Sequence, residues 1–151
     1  MKTGYSSDKE RYILLVEDDH DDAELACMAL KNSGVAKDIV VKTDGRQALE
    51  FLENLPQKDN SKPAKPVVIL LDINMPEMDG FEVLKRIKKN AETRKIPVIM
   101  LSSSEEEQDV TRSYEYGANS YVSKPLNFDE YKDTVRKVGS YWLNLNKSAA
   151  S

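Results

Sequence analysis

Four of the five short apolar runs in this chain lead into side chains suited to metal binding or phosphoryl transfer. The first run ends at the acidic cluster Glu17-Asp18-Asp19, and the third ends at Asp72. The fourth leads into the serine run 102–104, and the fifth is followed by the pair Lys124-Pro125. Carboxylates are hard oxygen ligands for a cation, while serine and lysine donate hydrogen bonds to an anion. These residue types suit a site for a metal ion and a phosphoryl group.

Each of these groups has a simpler interpretation when it is taken alone. Acidic residues and serines after a strand often cap the next helix, and a Lys-Pro pair is usually an exposed turn. Their shared position favours chemistry. Two unit charges about 4 Å apart near a protein surface interact by roughly 4 kcal/mol. Carboxylates at one edge of a sheet therefore repel unless a cation lies among them, and hard oxygen ligands suit Mg²⁺.

The elements that must bring these residues together are short, branched apolar runs that alternate with helical patterns. The runs are typical of buried strands and lie at 13–16, 39–41, 67–71, 98–101 and 120–122. Strand followed by helix, five times over, predicts an α/β fold with a parallel sheet covered on both faces. Ligands of such folds bind at the carboxyl ends of the strands, near the point where the strand order switches.

Capping signals mark the starts of several helices. Asp44 is placed to cap the second helix. Ser104 with Glu107, and Asn127 with Glu130, have the spacing of capping boxes. An apolar stripe at helical spacing marks the last helix: Phe128, Tyr131, Val135, Val138 and Trp142.

Four motifs carry a resemblance to a known family. They are VEDD at 16–19, LLDINMPEMDG at 70–80, PVIMLSSS at 97–104 and SYVSKPL at 120–126. In this order and with these gaps they resemble the receiver domain of bacterial response regulators. The resemblance spans about residues 11–143, and it implies a flavodoxin-like, doubly wound (βα)5 fold with strand order 2-1-3-4-5. Residues 1–10 and 144–151 are expected to be flexible termini.

The resemblance implies roles for the polar residues at the strand ends. Asp72 would be the phosphoacceptor, Lys124 would form an ion pair with the phosphoryl group, and Ser102 would donate a hydrogen bond to it. Tyr121 matches the aromatic position that moves with Ser102 when such domains switch. Transfer from a phosphohistidine needs mainly positioning and charge neutralisation, which these residue types supply.

The resemblance also implies how the Mg²⁺ ion would be held. Asp18 and Asp72 would be ligands, Glu17 would support the ion, and the backbone carbonyl of Asn74 would complete the protein ligands. Glu17 stands where an aspartate is commoner in the family, and this departure is mild.

The function implied is that of a two-component phosphorelay response regulator, phosphorylated by a separate sensor histidine kinase. The protein would not be an enzyme with an external substrate, since it would catalyse only its own phosphorylation and dephosphorylation. Too few residues follow Trp142 for an output domain, so signalling would pass through the receiver surface. The polar loop at 55–66 and the ending VGSYWL at 138–143 resemble the small regulators paired with phytochrome-type kinases.

Other functions fit this sequence less well. A phosphatase of the haloacid dehalogenase class needs a second aspartate two residues after its nucleophile, and Asn74 occupies that position. An EF-hand starting at Asp18 would need glycine and glutamate where Ala23 and Ala29 stand. A pseudo-receiver that only binds a partner would normally lack the acceptor, the acidic pair or the lysine. His20 is the single histidine and is expected to be solvated, so the phosphoryl donor must be another protein.

Composition excludes several classes. A net charge of −4, with Lys and Arg spread along the chain, gives no reason to expect nucleic-acid binding. Cys27 is the single cysteine, so a disulfide framework and a cysteine metal cluster are impossible within the chain. No apolar run is long enough to span a bilayer, and no signal peptide is recognisable at the start. A cytoplasmic protein without membrane contact is expected.

The sequence also suggests an assembly. A fourth helix at 105–116 has a thin apolar face of Val110 and Tyr114, and Tyr141 and Trp142 add aromatic area at the end of the fifth helix. Large apolar patches often mark interfaces. We expect a homodimer through the face formed by the fourth helix, fifth strand and fifth helix, the 4-5-5 face. The alternative is that Trp142 simply covers the core.

Overall fold

The sheet has five parallel strands. The computed structural model describes residues 11–36, 38–55 and 65–147. The strands are β1 (Tyr12–Val16), β2 (Asp38–Lys42), β3 (Val68–Asp72), β4 (Val98–Ser102) and β5 (Ser120–Ser123). They lie in the order β2-β1-β3-β4-β5, which confirms the predicted flavodoxin-like topology. The predicted terminus 1–10, residues 148–151 of the predicted terminus 144–151, and residues 56–64 of the predicted loop lie outside the described residues.

Five helices alternate with the strands. They are α1 (His20–Asn32), α2 (Gly45–Glu53), α3 (Gly80–Lys89), α4 (Glu107–Glu115) and α5 (Phe128–Ser140), and a π-helical turn, Tyr141–Leu145, continues α5. Two predicted caps are confirmed, because Asp44 accepts a hydrogen bond from the backbone of Gln47 and Asn127 accepts one from the backbone of Glu130. None of the helices within the described ranges is long and apolar enough to cross a membrane.

The predicted start of the fourth helix at residue 105, with a capping box at Ser104, is wrong. Helix α4 begins at Glu107, and its N-cap residue Glu106 makes no side-chain capping bond. The Ser104 hydroxyl instead accepts a hydrogen bond from the Glu106 backbone at 3.2 Å and donates one to the Asp109 carboxylate at 2.8 Å. Ser104 therefore stabilises the loop before α4 and leaves the helix to begin later.

The core has two layers because side chains alternate across the strands. One layer packs β1, β3 and β4 residues against α2 and α3, and includes Leu14, Val16, Ile69, Leu71, Val98, Met100, Leu52 and Leu84. The other packs the alternate residues against α1 and α5, and includes Ile13, Leu15, Val68, Leu70, Ile99, Leu101, Leu30 and Val135. Each fully buried Leu, Ile or Val contributes about 1.5–3 kcal/mol, so the central strands β3 and β4 are firmly held.

The predicted stripe of the last helix is only partly correct. Tyr131 and Val135 are buried, and Val138 and Trp142 pack against the same layer from its edge. Phe128, however, is 66% exposed. Helical side chains lean toward the N-terminus of their helix, so the first residue of α5 extends past the end of the core.

Candidate functional site

The predicted site lies where the strand order reverses. Strand β1 is flanked by β2 on one side and β3 on the other, so the connection changes direction between β1 and β3. Val16 pairs with Leu71 in the register of these strands, which places Glu17 and Asp72 side by side at their carboxyl ends. Leu101 pairs with Asp72 on the other side. The chain therefore brings the acidic residues to the position where α/β folds bind ligands.

Three carboxylates meet at this edge. One oxygen each from Glu17, Asp18 and Asp72 lies within 4.8 Å of the others. Glu17 is 1% exposed and Asp72 is 5% exposed, whereas Asp18 faces solvent. Burial, and next the neighbouring charge of Glu17, raise the pKa of Asp72 to about 7. Burial also raises the pKa of Glu17, although Lys124 works against that shift.

Lys124 is the cation that Glu17, Asp72 and the nearby Asp22 share. Its Nζ lies 2.8 Å from Glu17 Oε1, 3.1 Å from Asp22 Oδ2 and 3.7 Å from Asp72 Oδ1. Burial opposes the charged form of the amine. The close contact with the Glu17 carboxylate and the negative charge of Asp72 outweigh that effect and raise the pKa of Lys124. A single amine thus faces several carboxylates in a poorly hydrated position.

The donor set fits a hard divalent cation. Burial and the charge of Glu17 raise the pKa of Asp72 although Lys124 lies close, so the carboxylates outnumber the one amine that faces them. Carboxylate oxygens are the ligands that Mg²⁺ and Mn²⁺ prefer. Asp18 is exposed, so an ion can reach the cluster from solvent.

Asp19 has a different role, because its side chain caps α1 by accepting a hydrogen bond from the Asp22 backbone at 2.9 Å.

Ser102 and Tyr121 are joined through the loop after β4. Ser102 is fully buried at the end of that strand, and its hydroxyl accepts a hydrogen bond from the Ser104 backbone at 3.0 Å. The Tyr121 hydroxyl donates to the Ser104 carbonyl at 2.7 Å. Both predicted switch residues therefore contact the same loop residue, so a movement of Ser104 affects both.

The loop after β3 is held tightly against that strand. Asn74, the predicted carbonyl ligand, lies in this loop and is exposed. The Gly80 backbone donates to the Ile73 carbonyl at 2.8 Å, and a Cβ on Gly80 would lie only 2.4 Å from the Asp72 carbonyl oxygen. Any side chain at Gly80 would push α3 away from the end of β3. The loop geometry around Asp72 therefore depends on this glycine.

Two residues near the site were not predicted from the sequence. Asp22 in the first turn of α1 forms an ion pair with Lys124, and the Tyr131 ring lies 6.0 Å from the Lys124 amine. The Tyr131 hydroxyl is buried and has no hydrogen-bond partner within the described part of the chain. Burial, and next the charge of Glu17, raise the pKa of Tyr131. Helical spacing identified Tyr131 as a core residue only, and no signal linked Asp22 to Lys124.

The sheet order and its acidic, lysine-containing edge define the receiver class of α/β signalling domains. A family model described as the response regulator receiver domain matches residues 13–136. The chain therefore belongs to the response regulator receiver domain family, as the four motifs predicted.

His20 is the one histidine that could carry a phosphoryl group within this chain. It is exposed at the start of α1, in agreement with its predicted solvation.

Relatives within the family include small regulators. The chain is 39% identical over 137 residues to the response regulator Rcp1 of Synechocystis sp., covering 91% of this chain and 92% of Rcp1. The crystal structure of the Mn²⁺-bound form of Rcp1 superposes with a TM-score of 0.80 at 37% identity, covering 93% of this chain and 99% of that one. The phosphorylated cyanobacterial phytochrome response regulator RcpA gives a TM-score of 0.83 at 35% identity, with the same coverage. The predicted likeness to small phytochrome-associated regulators is therefore confirmed.

Proposed function

We propose that this protein is a phosphorelay response regulator that accepts a phosphoryl group on Asp72 from a sensor histidine kinase. The observation that supports this most is the position of the Asp72 carboxylate, which is nearly buried between two carboxylates and one lysine. A structural aspartate would not need such neighbours. A phosphoacceptor needs them, because the carboxylates can bind a metal ion, and the ion and the lysine together offset the negative charge of a phosphoryl group.

The residues act together in the transfer. A carboxylate oxygen of Asp72 attacks phosphorus, the phosphorus–nitrogen bond of a phosphohistidine breaks, and an acyl phosphate forms on Asp72. Lys124 offsets charge on the phosphoryl oxygens, and the Ser102 hydroxyl donates a hydrogen bond to one of them. The protein acts on no external substrate; it assists only its own phosphorylation and dephosphorylation.

Magnesium is the metal that we assign to this site. Asp18 and Asp72 would bind it directly, Glu17 would support it, and the Asn74 carbonyl would complete the protein ligands. When bound, the ion supplies positive charge to a phosphoryl oxygen. Support comes from the converging carboxylates and from the Mn²⁺-bound form of the relative Rcp1.

The signal would leave the site through the loop after β4. Ser102 turns toward a phosphoryl group on Asp72, which changes its hydrogen bond from the Ser104 backbone. Ser104 also accepts from the Tyr121 hydroxyl, so the aromatic ring can change position with the loop. Phosphorylation shifts an existing equilibrium toward this second arrangement, because only that arrangement contacts the phosphoryl group.

Partners follow from this surface and from the relatives. RcpA is a phytochrome response regulator, so we propose a phytochrome-type kinase as the phosphoryl donor. We also propose a homodimer through the 4-5-5 face, where Tyr114 is 50% exposed and Tyr141 is 47% exposed. Trp142 packs partly on the core and meets the Tyr141 ring edge-on with the centroids 5.2 Å apart. The aromatic pair thus covers core and still presents apolar surface.

Metal binding and phosphotransfer test the proposal together. In calorimetric Mg²⁺ titrations, Asp18→Ala should lower affinity by roughly tenfold or more, as expected for the loss of a ligand. Asp21→Ala is the matched control, since Asp21 is exposed on the next helix and lies outside the carboxylate cluster. Equal affinities in the two variants would place the metal elsewhere. Purified histidine kinases carrying a labelled phosphoryl group should pass the label to this protein; no transfer with bound Mg²⁺ would indicate a pseudo-receiver.

A further inference from the structure

Asp22 holds the amine that a phosphoryl group needs. Its Oδ2 lies 3.1 Å from Lys124 Nζ, which is closer than the 3.7 Å between that amine and Asp72 Oδ1. The two residues are 102 positions apart in the chain, so only the fold brings them together. Helix α1 begins directly after the acidic cluster, and side chains in its first turn lean back toward the sheet edge.

The amine has few donors to share. A lysine has three N–H groups. Asp22 accepts a hydrogen bond from one of them at 3.1 Å, Glu17 forms an ion pair with the amine at 2.8 Å, and Asp72 lies just beyond ordinary hydrogen-bond distance. A phosphoryl group on Asp72 would bring new oxygens that compete for the same N–H groups. The ion pair that is easiest to weaken is the one with Asp22, since its side chain is 32% exposed whereas Glu17 is 1% exposed.

We propose that Asp22 is a positioning residue that competes with the phosphoryl group for Lys124 and so lowers the stability of the phosphorylated state. The proposal rests on the function assigned above to Asp72 and Lys124. Its physical basis is charge as well as geometry, because the Asp22 carboxylate neutralises the amine that would otherwise attract a phosphoryl group.

Asp21 offers a matched control for Asp22. Both residues lie in the first turn of α1, so each carries the same favourable interaction with the helix dipole. Asp21 is exposed and Lys124 does not contact it among the described ion pairs. Asp21→Asn and Asp22→Asn remove the same charge from the same helix turn, and a difference between them reports the contact with Lys124.

Affinity for beryllofluoride, a phosphoryl mimic, is the measurement. In calorimetry at saturating Mg²⁺, Asp22→Asn should bind beryllofluoride about threefold more tightly than Asp21→Asn, the size expected when a partly exposed ion pair is lost. In a Lys124→Ala background the two asparagine variants should bind equally, because the competing amine is gone. A structural effect of Asp22 would persist in that background.

The outcomes separate the two claims. Equal or weaker binding by Asp22→Asn relative to Asp21→Asn would overturn the role of Asp22 alone. A difference that survives in the Lys124→Ala background would also overturn it, since the effect would not pass through the amine. Absence of Mg²⁺-dependent beryllofluoride binding by the unsubstituted protein, or binding that survives Asp72→Asn, would contradict the proposed function and this role with it.

Discussion

Two half-buried lysines at opposite ends of the sheet have opposite surroundings. Lys88, near the end of α3, donates to the carbonyls of Arg94 at 3.0 Å and Ile96 at 2.9 Å, and to the Asn119 side chain at 3.3 Å. All three acceptors are neutral and precede β4 or β5. Lys124, which follows β5, faces the carboxylates of the site instead. The amine is the same and the partners differ.

The difference separates a structural lysine from a lysine of the proposed phosphorylation site. Burial lowers the pKa of Lys88. Its contribution lies in the hydrogen bonds that tie α3 to the segments before β4 and β5. The pKa of Lys124 is raised instead, because carboxylates surround the amine. Keeping these carboxylates together in a buried position costs folding free energy. The amino end of the sheet is built for stability, and the carboxyl end keeps unbalanced charge for a ligand.

The largest effect on stability is expected at Lys88. Lys88→Met keeps the length of the stem but leaves the three acceptors without their shared donor, so it should lower the free energy of unfolding by about 2–3 kcal/mol. Thermal or urea unfolding measures the loss. Lys89→Met is the control, since Lys89 is exposed next to it. Added Mg²⁺ should not change the loss, because no metal ligand lies at this end of the described sheet.

Equal free energies of unfolding for Lys88→Met and Lys89→Met would contradict the structural role of Lys88.

Lys124→Met tests the other lysine in the same assay. The stability that this variant loses should be partly restored by Mg²⁺, because the ion supplies the positive charge that the amine no longer provides.

A second, smaller effect concerns Asp72 and pH. Its pKa lies near 7 in the folded chain and near its usual value of about 4 in the unfolded chain. Between these values the folded state binds the extra proton, so the contribution of Asp72 to stability falls as pH rises from about 4 to 7. Asp72→Asn should therefore stabilise the metal-free protein by about 1–2 kcal/mol at pH 8 and hardly at all at pH 4.

The measurement is urea unfolding in a chelator at both pH values. Asp21→Asn, which removes an exposed charge, should show no such pH-dependent gain. If Asp72→Asn raised the free energy of unfolding equally at pH 4 and pH 8, the ionised Asp72 carboxylate would not be destabilised by its surroundings.

The fold of this protein could be predicted well from its sequence, and the side-chain contacts of the site less well. The parallel strands and the convergence of Glu17, Asp18 and Asp72 followed from short apolar runs and the residues after them, and the strand order followed from the family resemblance. The ion pair between Asp22 and Lys124 could not be predicted, because its partners are distant in the chain and each has an ordinary local role. Local patterns failed in the same way at Ser104, whose spacing suggested a cap although its hydroxyl stabilises a loop.

The smallest effect concerns assembly. If the 4-5-5 face forms a symmetric dimer, each substitution acts twice, and Tyr114→Ala with Trp142→Ala should weaken association by about 1–2 kcal/mol, or roughly tenfold. Tyr141→Ala gives a milder test, since Tyr141 is exposed whereas Trp142 also packs on the core. Light scattering at micromolar concentration, with and without beryllofluoride and Mg²⁺, measures the mass. A monomer in both conditions would refute the dimer and leave the face to another partner.

Phosphorylation of Asp72 is the central claim, and intact mass after incubation with acetyl phosphate and Mg²⁺ tests it most directly. The unsubstituted protein should gain the mass of one phosphoryl group, and chelation of the metal should prevent the gain. Asp72→Asn should gain nothing, while Asp79→Asn, which keeps an acceptor at the cap of α3, should be labelled normally. Labelling of Asp72→Asn, or none of the unsubstituted protein with Mg²⁺ bound, would contradict the account.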